Sequence, residues 1–120
     1  MRYMMLIYGV EDDSASPEEL QEVSAAHHAL MADLHERGIL VGADPLYPTT
    51  SATTVRVKDG KPMVTDGPFA ETKEQLAGYY ILDCKDLDEA IEWAAKIPTR
   101  CKGGAGCIEV RPIWQIEKPA

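Results

Sequence analysis

Apolar side chains fill consecutive positions at the start of the chain, Met4, Leu6 and Tyr8 alternating with Met5 and Ile7. A strand that is apolar on both faces is one buried on both sides, so Arg2 to Tyr8 reads as a central strand. The same two-sided pattern returns from Leu76 to Leu82 and predicts a second central strand. Between and after these runs the period becomes helical. Ser16-Pro17-Glu18-Glu19 places a capping hydroxyl, a proline at the first helical position and a glutamate that completes a capping box. The stripe Leu20, Val23, His27, Leu30 or Met31, and Leu34 follows, and Arg37-Gly38 supplies the stop. Asp86-Leu87-Asp88-Glu89 repeats the capping logic, with Leu87, Ala90, Ile91, Ala94 and Ala95 as its stripe and Pro98 as its end.

The remaining segments are shorter. Ile39 to Val41 reads as a strand leading into a polar loop with Pro45 and Pro48. Thr53 to Lys58 alternates apolar with polar, Asp59-Gly60 is a favoured two-residue turn, and Lys61 to Thr65 returns, which together predict a hairpin. Pro62 marks one edge strand, and Pro112 marks another within Ile108 to Trp114. The order is β-α-β, a hairpin, then β-α-β. It predicts an α+β, ferredoxin-like β-α-β-β-α-β sandwich with an inserted hairpin, folded as a single domain over residues 1–120.

Composition narrows the function classes. With 45% apolar and 27% charged residues, 120 residues suffice for one globular core. A net charge of −8 argues against nucleic acid and against acidic lipid surfaces as partners, since both are held by clustered Lys and Arg. No run approaches the ~20 apolar residues that span a bilayer, and the first residues lack a secretory pattern, so the chain reads as cytoplasmic. Cys84, Cys101 and Cys107 form an odd set without a Cys-x-x-Cys pair, which fits reduced thiols. Cys101 and Cys107 flank a Gly-rich turn that can bring them together as a redox clip.

Asp66-Gly67-Pro68-Phe69 is the most distinctive stretch, because Gly and Pro fix an unusual backbone path just before a strand. With Ala70-Glu71-Thr72-Lys73-Glu74-Gln75 and Gly78-Tyr79-Tyr80 in register behind it, the stretch resembles the signature of the YCII-related family, in its DGPF-type branch. The likeness runs from Arg2–Tyr8 to Ile108–Trp114. It implies the same ferredoxin-like fold, and a homodimer with sheets paired as in dimeric α/β barrels. Some YCII-related proteins carry a His and Asp pair proposed as catalytic. Others are encoded beside extracytoplasmic-function sigma factors, which implies a regulatory link.

The candidate residues follow from both lines. Asp66, fixed by its Gly-Pro step, can orient an imidazole or accept a ligand proton; alternatively Asp66 and Thr65 bond the turn while Phe69 fills the core. His27 lies in the stripe of the first helix and is the candidate acid or base, or else a core histidine bonded to a tyrosine or a carbonyl. His27, His28 and His35 are spaced by one, seven and eight residues, which offers no i, i+4 chelate, so no metal and no other cofactor is expected. Tyr8, Phe69, Lys73, Tyr79 and Arg111 are the candidate ligand contacts, Arg111 being equally able to pair with Glu109 at an edge. The function expected is binding of a small molecule, or cofactor-independent turnover by a His27/Asp66 pair. The alternative is a non-catalytic regulatory module linked to a sigma factor.

Overall fold

Strands β1 (Arg2–Gly9) and β5 (Gln75–Asp83) lie side by side at the centre of a four-stranded antiparallel sheet, flanked by β2 (Leu40–Pro45) and β6 (Cys107–Pro112) in the order β2-β5-β1-β6. These are the two strands whose two-sided apolar pattern predicts a central position. The computed structural model describes residues 1–11, 15–99 and 106–119, so the Gly-rich connector and Cys101 lie outside the described residues. Two helices, α1 (Pro17–Glu36) and α2 (Leu87–Ala94), complete an α+β fold compatible with the ferredoxin-like class.

Both helices begin as their caps dictate. Ser16 Oγ accepts from the Glu19 amide at 3.1 Å and Asp86 Oδ1 from the Glu89 amide at 2.9 Å, each satisfying an amide that the first turn leaves unpaired. Arg37 closes α1, and Gly38 follows at φ +73°, a conformation open to glycine.

Register decides what each face carries. Tyr3 pairs with Leu82, Met5 with Tyr80 and Ile7 with Gly78, so these side chains share the face that both helices cover. Met5, Leu34, Leu82 and Cys84 are fully buried there. In α2 the buried side chains are Ala90, Trp93 and Ala94, whereas Leu87 and Ile91 are half exposed, so the buried stripe is rotated from the expected one toward Trp93. The indole explains the rotation: its ring packs on the core while Lys96 Nζ and Arg37 Cζ sit 4.6 and 5.4 Å from its centroid.

The opposite face carries Met4, Leu6, Tyr79 and Ile81, half-buried and covered by neither helix.

Strand β2 runs on to Pro45, past the expected end at Val41. Two features permit this. An edge strand tolerates a residue without an N–H. Gly78, the partner of Pro45, also has no Cβ, and one built there would lie 2.9 Å from the Asp44 carbonyl oxygen.

The hairpin forms as predicted, from β3 (Thr53–Lys58) and β4 (Lys61–Asp66), turning at Asp59 (φ 52°) and Gly60 (φ 75°). It is a separate two-stranded sheet. Its register puts Val55, Val64 and Val57 on one face, all more than half exposed, and Arg56, Lys58 and Lys61 on the other.

Candidate functional site

Helix α1 is anchored at one end only. Leu34 is its fully buried residue, while Val23 and His27 are half-buried and Leu20 is 40% exposed. The N-terminal half therefore stands off the sheet and leaves a cleft of about 580 Å³, within the range of small-molecule sites. Its walls are mostly apolar: Val23 and Met31 from α1, Ile7 from β1, Leu76 from β5, and Leu46 and Pro48 from the segment after β2. An irregularity in the β1–β5 register at Ile7/Tyr8 lies at the cleft, where Tyr8 and Ala77 also reach its surface.

His27 and Tyr80 form a hydrogen-bonded polar pair on this wall. The Tyr80 hydroxyl hydrogen-bonds His27 Nδ1 at 2.7 Å, with the two ring centroids 5.8 Å apart. Burial, with a smaller contribution from neighbouring His28, holds the His27 imidazolium below its usual pKa of 6.5, so the ring is neutral at pH 7. Burial pushes the Tyr80 hydroxyl up to about 12, so it stays protonated. His27 Nε2 has no partner among the described residues.

The mouth of the cleft is held by Glu11. Its carboxylate accepts from the Thr49 amide at 2.7 Å and the Thr49 hydroxyl at 2.8 Å, and its own amide donates to Gln75 Oε1 at 3.0 Å. Gln75 Nε2 in turn donates to the Thr72 carbonyl at 2.6 Å. One acidic residue thus ties the exit of β1 to the 3-10 turn Thr49–Ser51 and to the entry of β5.

The other candidates are dispersed. Asp66 ends β4, is exposed and does not line the cleft. Its neighbour Gly67, at φ +93°, closes the hairpin base: its amide donates to the Ala52 carbonyl at 2.7 Å and its carbonyl accepts from the Thr54 hydroxyl at 2.8 Å. Phe69 is 76% exposed, so it does not fill the core, and Lys73 is exposed. Tyr79 points to the uncovered sheet face, where its hydroxyl donates to Asp44 Oδ2 at 2.6 Å; that bond, more than burial, pushes its pKa up. Arg111 and Glu109 pair with Met4 and Leu6 on that same face, with no ion pair between them. Of the named candidates the structure brings together His27 and Tyr8.

No group of three His, Cys, Asp or Glu that could hold a metal occurs among the described residues. Nor, among them, is any helix long and apolar enough to cross a membrane. Cys107 Sγ lies 3.6 Å from Glu74 Oε2, and its pairing with Cys101 falls outside the described residues.

The sequence matches the YCII-related domain over residues 1–117, nearly its full length. The chain belongs to the YCII-related family. An uncharacterized protein of Rhizobium meliloti (strain 1021) is 41% identical over 115 residues, spanning 94% of this chain and 92% of its own. In this YCII-related chain, Tyr80 and Glu11 are the site residues that pattern reading passes over. Leu76 to Leu82 is apolar on both faces, so parity alone could not say whether Tyr79 or Tyr80 meets α1. Glu11 opens an acidic run that reads as solvated surface, and its placement directly after a strand is the one signal of a tie.

Proposed function

We propose that this YCII-related protein binds a small molecule in the cleft between α1 and the sheet, with His27 contacting the polar end of the ligand. The observation that carries the reading is a neutral imidazole, fixed at Nδ1 by Tyr80 and unpartnered at Nε2 among the described residues, on a mostly apolar wall. A nitrogen so placed can hold a ligand group, or move a proton to or from it in a cofactor-independent reaction. In this reading Tyr80 takes the orienting role expected of Asp66, whose carboxylate stands outside the cleft of its own chain. A thermal-shift screen of small metabolites against wild type and His27→Gln tests it. Hits lost in a variant that melts normally support the cleft; hits that persist unchanged contradict it.

A second observation favours a homodimer. Strands β1 and β5 are apolar on both faces, but the helices cover one. Met4, Leu6 and Ile81 stay half-buried on the other, and the hairpin valines are more than half exposed. The Cα radius of gyration is 16.4 Å, where a compact chain of this length has about 14 Å. A second copy laid sheet to sheet covers the apolar face, in the manner of dimeric α/β barrels.

A further inference from the structure

We infer that the cleft takes an uncharged molecule with an apolar body and a carbonyl-type oxygen, and that this oxygen accepts a hydrogen bond from the Nε2–H of His27. The inference rests on the reading of the cleft as a ligand site and adds the class of ligand.

The hydrogens of the His27–Tyr80 pair fix what the imidazole presents to the cleft. A neutral imidazole has one N–H and one bare nitrogen, and a phenol has one O–H. If Nδ1 carried the proton and donated to the Tyr80 oxygen, the hydroxyl hydrogen would need a second acceptor. Tyr80 has no other side-chain hydrogen bond among the described residues, and it is 3% exposed, so water reaches it poorly. That arrangement would leave two polar groups unmet, the hydroxyl hydrogen and bare Nε2. With the hydroxyl donating to Nδ1, the bond satisfies both of its atoms, the ring proton resides on Nε2, and one donor remains to be matched. Each buried polar group left unmet costs about 1–3 kcal/mol, which favours the second arrangement. His27 therefore offers the cleft a donor, and its natural complement is an acceptor such as a ketone, ester or amide oxygen.

The charge of the ligand is inferred from the described part of the wall. No Lys or Arg among the described residues lines the cleft. A carboxylate or phosphate would shed water there without a cation among the described residues to receive it. An ammonium would bring a second donor to a donor. Nor does it find a counter-charge among the described residues: the Glu11 carboxylate is occupied by Thr49, and the Asp44 carboxylate lies on the other sheet face with Tyr79. His28, the other histidine at the wall, is exposed and has its Nδ1 against the Ser24 carbonyl at 2.8 Å.

The test uses three probes of one shape, benzylacetone, phenylpropylamine and phenylpropionate, titrated into the full chain at pH 7 while the histidine ¹⁵N signals are followed. The expected result is the Nε2–H tautomer for His27 and binding of benzylacetone that shifts Nε2. The amine and the acid should bind at least about tenfold more weakly, the least that an unmatched buried charge costs. An Nδ1–H tautomer, or either charged probe binding as tightly as the ketone, overturns the ligand class and leaves the cleft standing as a site. Failure of all three to move any cleft resonance overturns the site itself.

Discussion

The Tyr80 hydroxyl and His27 Nδ1, 2.7 Å apart, form a side-chain hydrogen bond that joins α1 to the sheet. The bond spans the half of α1 that apolar packing leaves loose. It links the geometry of the cleft to the protonation of the imidazole. Tyr80→Phe keeps the ring and deletes the bond, and should destabilise the fold by about 1 kcal/mol, a few degrees in melting temperature. Tyr79→Phe deletes a bond to Asp44 that joins neighbouring strands of one sheet and ties no helix to it, and should cost less. Equal losses in parallel thermal melts would mean that the Tyr80 bond has no special structural weight.

His27 predicts a pH dependence of known sign. Its folded pKa lies below the unfolded 6.5, so between those values the unfolded chain binds more protons and stability rises with pH. The contribution is complete above 6.5 and is lost as pH falls through the window toward the folded value. Urea unfolding across mildly acidic pH should show this slope in wild type and a reduced one in His27→Gln. An unchanged slope in the variant would assign it to other groups.

The signature loop should behave as a hairpin clamp. Gly67 at φ +93° makes both bonds that close the hairpin base, so Gly67→Ala strains the backbone and should cost about 1–3 kcal/mol. Asp66→Asn touches a side chain with no hydrogen bond in the described structure and should stay within about 0.5 kcal/mol of wild type. The reverse order in thermal melts would return the weight of the loop to the carboxylate.

The uncovered sheet face should report on assembly. Light scattering should give about twice the 13.2 kDa chain mass, and Ile81→Lys, which puts a charge on that face, should shift the protein toward monomer. A wild-type monomer at micromolar concentration would remove the sheet-to-sheet dimer.

Much of this fold is legible in the sequence because local chemistry and tertiary position agree. Ser16 and Asp86 cap where they stand, Asp59-Gly60 turns where it stands, and the two-sided apolar strands are central. Reading fails where the deciding contact is distant along the chain. The extension of β2 depends on Gly78 admitting Pro45, thirty-three positions away in sequence. The partner of His27 is fifty-three residues distant and sits in a strand whose parity the pattern leaves open. Asp66 draws notice through its backbone setting, yet it is the neighbouring Gly67 that makes the bonds.

The most direct test of the cleft as the working site is methyl chemical-shift mapping with the strongest hit of the metabolite screen. We predict that Val23, Met31 and Leu76, which line the cleft, shift together with the His27 ring, while Val55, Val57 and Val64 of the hairpin and Ile81 of the uncovered face stay still. Shifts confined to the hairpin or to that face, with the His27 ring unmoved, would contradict the account.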